Sequence, residues 1–148
     1  MPSIPTDHPL LEKFAGTMKL PPPVAELIGF NLVSLEPGIA RFELQTDERH
    51  ANPMGTLHGG ILCDLADAAM GMAYASLLRP DESFTTLELK INFLKPVWKT
   101  KLTAVGHVVK GGRTVGLVEC DIFDDGEALV ARASSTQMTL RQDMAKGR

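Results

Sequence analysis

The architecture this sequence predicts is α+β: one long central helix with a curved, mostly antiparallel sheet of about six strands wrapped around it. Three observations carry that expectation. The stretch from Ile61 to Leu78 is long enough for a helix of several turns and is apolar on almost every side. Short runs rich in Val, Thr and Leu flank it, two before and four after. Consecutive runs are joined by tight-turn residues, which is how antiparallel neighbours connect. With a single long helix to cover the sheet's apolar face, the sheet must curl around that helix.

Residues 1–23 read as a polar N-terminal extension closed by Pro21, Pro22 and Pro23, which favour an extended entry into the domain. Val24, Leu27 and Ile28 stand at helical spacing before Gly29, giving a short helix with a glycine stop. Phe30 to Leu35 and Ile39 to Leu44 are strands, and Glu36, Pro37 and Gly38 make the turn between them. Residues 45–57 are polar and loop-like, punctuated by Asn52, Pro53 and Gly55. The long helix follows and stops at Arg79, Pro80 and Asp81. From Thr85 to Leu94, the residues Thr85, Leu87, Leu89, Ile91 and Phe93 alternate with Thr86, Glu88, Lys90 and Asn92, predicting one apolar and one polar face. Leu102 to Val109, Thr114 to Phe123 and Ala128 to Leu140 complete the strands, turning at Lys110-Gly111-Gly112 and Asp124-Asp125-Gly126. The domain then spans 24–140, and 141–148 is a C-terminal tail.

The apolar helix is long enough to suggest a membrane span, but Asp64 and Asp67 oppose that. Each aspartate near the centre of such a span costs about 2.5–3.5 kcal/mol. A buried helix in a globular core is the better reading. The N-terminus lacks a basic region followed by an apolar one, so a cytoplasmic protein is expected. The chain has 148 residues and a net charge of −3, which argues against general nucleic-acid binding. Cys63 and Cys120 lie far apart in apolar runs, without zinc-ligand spacing, and read as small buried hydrophobes.

The chemistry concentrates in Asn52-Pro-Met-Gly-Thr-Leu-His58-Gly59-Gly60 and the helix after it. Paired glycines at a helix start let a ligand approach the backbone, and the free N–H groups of the first turn suit an anion or a developing oxyanion. Tight loop-to-helix packing would use the same glycines. His58 is suited to cap the helix, to donate to a carbonyl, or to act as acid or base. Asp67 and Asp64 sit among small and apolar residues, where an ionised carboxylate is costly unless paired or wet. One of the two fits a structural role and the other a base or nucleophile facing a cavity. Met70 and Met72 are core residues or the lining of an apolar pocket. His8, His50 and His107 have no partner at readable spacing, and Ser76 lacks the context of a hydrolase nucleophile.

Charge is uneven along the chain. From Lys90 to Arg113 there are six basic residues and no acid, so this segment is +6 while the rest is −9. Such a strip suits a phosphorylated ligand, with the turn Lys110-Gly111-Gly112-Arg113-Thr114 as its focus. Lysines that discourage edge pairing would give the same pattern.

Asn52, His58-Gly59-Gly60 and Asp67, followed by a strand beginning at Thr85-Thr86, together resemble the hot-dog-fold acyl-CoA thioesterases of the phenylacetate-degradation (PaaI-like) group. The resemblance spans residues 24–140. It implies hydrolysis of an acyl-CoA thioester without metal or redox cofactor, in a homo-oligomer: two subunits pair into a continuous sheet, usually as a dimer of dimers. By the same resemblance, Gly59 supplies the N–H that polarises the thioester carbonyl, with His58 beside it. Asp67 of the facing subunit attacks the carbonyl or activates a water. Asn52 orients the water or carbonyl, and Thr86 stands near the attacking water, with Thr85 in its place if the strand register shifts by one. Lys110 to Thr114 would meet the CoA phosphates. A hot-dog hydratase or dehydratase is the nearest rival, but neither a D-x4-H motif nor an HFPxxP pattern is present. A non-catalytic acyl-CoA binding protein would not need Asp67.

Overall fold

The structure is a computed structural model that describes residues 8–16 and 18–141. Helix α1 (Pro23–Ile28) ends at the expected stop. Gly29 takes φ of 99°, a conformation that favours glycine, and its N–H bonds the Ala25 carbonyl at 2.7 Å. Strands β1 (Phe30–Glu36) and β2 (Ile39–Gln45) form the expected hairpin across Pro37-Gly38. In the loop after β2, residues Glu48–His50 form a short 3-10 turn that composition did not reveal. His50 fixes it: Nδ1 accepts from the Asp47 N–H at 3.0 Å, and Nε2–H donates to the Ile28 carbonyl at 2.8 Å. Its imidazole therefore ties the loop to the end of α1.

Helix α2 (Gly59–Ala75) is followed by β3 (Glu82–Phe93), β4 (Lys101–Gly111), β5 (Val115–Phe123) and β6 (Leu129–Arg141). The strand order is β1-β2-β4-β5-β6-β3, with every neighbouring pair antiparallel. Because β2 pairs with β4 while β3 pairs with β6, α2 has to carry the chain across the inner face of the sheet. Its small residues permit a close crossing. Ala66, Ala69 and Ala73 are fully enclosed, and opposite them β4 offers Gly106, where an added Cβ would stand 2.4 Å from the Ala69 carbonyl oxygen. No helix of the described residues is long and apolar enough to cross a membrane.

Residues 1–7 and 17 of the expected N-terminal extension lie outside the described residues, as does the C-terminal tail apart from Arg141. The described part of the N-terminal segment packs on the domain. Leu11 and Phe14 are buried in the core, and Lys13 Nζ donates to the carbonyls of Ser76 and Leu78 at 2.9 and 2.6 Å. A cation at this helix end is favourable, although burial pulls the Lys13 pKa down against the opposing pull of Glu82. Ser76 has a structural role, accepting from the Gly38 N–H and donating to the Ala73 carbonyl, each at 2.7 Å.

Three local expectations change. Strand β3 does not alternate cleanly, because its pairing with β6 shifts between Thr86 and Glu88, leaving Leu87 bulged out. Phe84, Leu89 and Ile91 pack on the core, while Leu87 and Phe93 are exposed. The Asp125-Gly126 turn is not a two-residue hairpin. Asp124 Oδ1 accepts from the N–H groups of Gly126 and Ala128, both at 2.9 Å, and Glu127 takes φ of 63°, so the loop is wider. Cys120 is buried, which pushes its thiol up to about 12, whereas Cys63 is only half-buried.

Candidate active site

His58 caps α2. Its Nδ1 accepts the Gly60 N–H at 2.9 Å and its carbonyl accepts the Ile61 N–H at 3.0 Å. An added Cβ at Gly60 would stand 2.8 Å from that Nδ1, so the glycine is what lets the imidazole close over the turn. The Gly59 N–H, at the helix start, has no acceptor among the described residues. Asn52 organises the preceding loop: Oδ1 accepts from the Met54 N–H at 2.9 Å and Nδ2 donates to Thr56 Oγ1 at 2.6 Å. Asn52 and Gly59 line a groove of ≈ 370 Å³ with Thr56, Phe93, Lys95 and Val97.

Asp67 lies two turns further along α2 on a stripe that the sheet leaves uncovered, and it is exposed in the single chain. Thr86 Oγ1 donates to Asp67 Oδ1 at 2.9 Å. The bulge at Leu87 makes this contact: with strict alternation Thr86 would share a face with Glu88, opposite Leu89 and Ile91, but the extra residue places Thr86 on the helix side with them. Thr85 therefore faces the other side of the strand. Asp64, one turn before Asp67, lines a second groove together with it, and the Asp64 carboxyl is raised above the usual range by burial and by the charge of Asp67.

This second groove, ≈ 330 Å³, runs from Asp67 and Thr86 along Phe84, Met72 and Phe42 to Leu20 and Val24. Met72 thus lines a pocket, while Met70 is fully enclosed core. The contribution of Met18 to Pro22 was not legible in the sequence, because that segment lies outside the periodic elements. Within one chain, Asn52 and Gly59 belong to one groove and Asp67 and Thr86 to the other; the fold does not bring the two pairs together.

The basic strip is divided by its partners. Lys99 pairs with Glu48 at 2.9 Å, Lys101 with Glu43 at 3.6 Å, and Lys95 with Asp124, whereas Lys90, which donates to Asn92 Oδ1, and Lys110 and Arg113 pair with no carboxylate among the described residues. Lys110 and Gly111 end β4; Gly112, Arg113 and Thr114 make the turn, which the Gly112 N–H closes on the Val115 carbonyl at 2.8 Å. Gly111 pairs with Gly116, Gly116 with Gln137 and Gln137 with Thr86, so this turn and Thr86 lie on one row across the sheet. Three strand spacings put them about 14 Å apart.

Gln137 and Ser135 were not singled out by the sequence. They are fully buried, and Gln137 reaches Thr86 Oγ1 at 3.0 Å. Only their shared parity with Ala131 and Ala133 could have placed them inside, since Met138 and Leu140 suggest the opposite phase. His8 and His107 serve locally: His8 Nδ1 accepts the Leu10 N–H at 3.2 Å, and His107 faces Glu119 across β4 and β5 at 3.7 Å.

Comparison with known proteins gives this geometry a context. The model of the Thioesterase superfamily matches residues 54–144. The 1,4-dihydroxy-2-naphthoyl-CoA hydrolase of Listeria monocytogenes is 32% identical over 111 residues, covering 75% of this chain and 90% of that protein. A thioesterase family protein from Silicibacter pomeroyi superposes with a TM-score of 0.79 at 30% identity, over 90% of this chain and 96% of that one. The PaaI protein of E. coli shares the fold, with a TM-score of 0.76 at 24% identity, over 81% of this chain and 86% of that one. A helix-enclosing antiparallel sheet and a family match over more than half of the chain agree, and the chain belongs to the hot-dog-fold Thioesterase superfamily.

Proposed function

We propose that this protein hydrolyses acyl-CoA thioesters to the free acid and CoA. The observation that carries the reading is the Asp67 carboxylate, held by the Thr86 hydroxyl at 2.9 Å at the mouth of an apolar groove. In this reading the groove takes the acyl group. The Gly59 N–H, at the positive end of α2, stabilises the oxyanion that forms on the thioester carbonyl, a role in which one donor contributes about 2.7–4 kcal/mol. Asp67 either attacks the carbonyl carbon, forming an acyl anhydride that water then hydrolyses, or takes the proton of a water that attacks; in both routes the C–S bond breaks, CoA leaves as the thiolate, and a proton from the consumed water ends on it. His58 holds the turn that presents Gly59, and Asn52 shapes the loop opposite. Thiol release across aromatic, short-chain and long-chain acyl-CoA esters tests the reading; no turnover on any ester would overturn it.

The site would be completed between two copies of the chain, with Asp67 of one subunit facing Gly59 of the other. Two features support this. Asp67 and Gly59 line different grooves of one chain, and β3 forms an edge of the sheet with Leu87 and Phe93 exposed along it. An exposed, 12-residue edge strand is suited to pairing with a second copy. A dimer or a dimer of dimers is the expected mass by light scattering, and a monomer that turns over at full rate would refute the shared site.

The CoA phosphates would rest on the turn Lys110-Gly111-Gly112-Arg113-Thr114, supported by its two unpaired cations and its place on the Thr86 row. The double variant Lys110→Ala/Arg113→Ala is expected to raise KM about tenfold with kcat retained, since each exposed, solvent-screened charge contact is worth up to about 1 kcal/mol and about 1.4 kcal/mol is a factor of ten. A pantetheine thioester, lacking those phosphates, should show no such change. Equal losses for both substrates would place the phosphates elsewhere.

A further inference from the structure

The Thr86 hydroxyl has two acceptors and one proton. It stands 2.9 Å from Asp67 Oδ1 and 3.0 Å from Gln137 Oε1, and it cannot donate to both at once. Gln137 is fully buried on β6, beneath Thr86, and its Nε2 donates to Ser135 Oγ at 2.9 Å. Ser135 is equally buried, and a serine hydroxyl is able to donate or accept. Half a turn of the Gln137 amide exchanges its two ends. The Ser135 hydroxyl then donates to the amide oxygen, the amide N–H donates to Thr86, and the Thr86 proton is committed to Asp67.

The two amide orientations match two states of the carboxyl group. Against an ionised Asp67, an N–H toward Thr86 satisfies every group in the row. Once the carboxyl has taken a proton, it can itself donate to Thr86, which then donates to the Gln137 oxygen, as in the orientation described. No other polar side chain meets Thr86 Oγ1 among the described residues.

We infer that Gln137 is a positioning residue for the thioesterase reaction: through the buried row Ser135–Gln137–Thr86–Asp67 it sets the direction of the Thr86 hydroxyl toward the working carboxylate. This rests on the hydrolase reading proposed above. Gln137 touches neither Asp67 nor the groove, so its effect should appear in turnover and pass through Thr86.

The test is steady-state thiol release by the full-length protein. Gln137→Met keeps the length of the side chain and removes its amide; Ser135→Ala removes only the far end of the row. Gln137→Met should lower kcat about tenfold with KM changed by less than about twofold, the size expected when one member of a coupled hydrogen-bonded network is lost. The same substitution in a Thr86→Ala background should cost less than about twofold, because the coupling has no route left. Ser135→Ala should lower kcat about threefold and follow the same pattern, and it decides the matter if Gln137→Met does not fold. Thermal unfolding of each variant separates stability from turnover. Equal fold losses in both backgrounds, or an unchanged kcat in both single variants, overturn the inference. If no acyl-CoA ester is turned over, the hydrolase reading itself falls and this one with it; if Asp67→Asn retains full turnover, or if Asp67 is required and Gln137 is not, only this one falls.

Discussion

Asp67→Asn should remove turnover while leaving substrate binding nearly intact. The substitution keeps the shape of the side chain and leaves an oxygen to accept the Thr86 hydroxyl, so the local geometry at 2.9 Å survives. What it removes is the basicity and nucleophilicity of the carboxylate. A positioned general base supplies about 10²–10⁴ in rate, and a loss of that size in kcat is expected, with KM for the best acyl-CoA changed little. The stability of the variant should match the parent, because Asp67 is exposed on the open stripe of α2 and spans no core contact. A kcat near the parent value would remove Asp67 from the chemistry and leave the Gly59 turn without its partner.

Gly106→Ala should cause the largest loss of stability of any single methyl group added to this chain. An added Cβ would stand 2.4 Å from the Ala69 carbonyl oxygen and 2.9 Å from the Met70 nitrogen, and both are backbone atoms of α2. Neither yields by a rotamer change. The helix must lift from β4, and overpacking of this kind costs about 3 kcal/mol. For a domain of this size that is a fall of about 10 °C in the unfolding midpoint. Gly111→Ala, where nothing lies within 4 Å of the added Cβ, is the control and should unfold with the parent. Equal midpoints for both variants would mean that α2 is not seated on β4 as closely as described.

These two positions differ in how far the sequence revealed them. Asp67 stood out because a carboxylate among Leu65, Ala66, Ala68 and Ala69 has to be paired or wet, a conflict visible without coordinates. Gly106 did not stand out: a glycine within a strand pattern signals a close approach, but not of what. The basic strip was legible as charge, yet which cations remain available depends on carboxylates far away in sequence. Glu48, Glu43 and Asp124 neutralise Lys99, Lys101 and Lys95, leaving Lys90 and the two cations of the turn, Lys110 and Arg113, without a carboxylate among the described residues.

The sequence by itself determined the elements and their order, the helix start at His58-Gly59-Gly60 and the carboxylate of Asp67, because these follow from periodicity, turn chemistry and local cost. Tertiary structure decided which side chains meet. One unpaired residue at Leu87 turns Thr86 toward Asp67, and the phase of β6 buries Ser135 and Gln137 beneath it while Met138 and Leu140 suggested otherwise. The crossing of α2 over the sheet sets Asn52 and Gly59 in one groove and Asp67 and Thr86 in the other. Strand register and helix crossing are properties of pairing between distant segments; a shift of one residue reverses a face without changing the composition or the local pattern that sequence reading relies on.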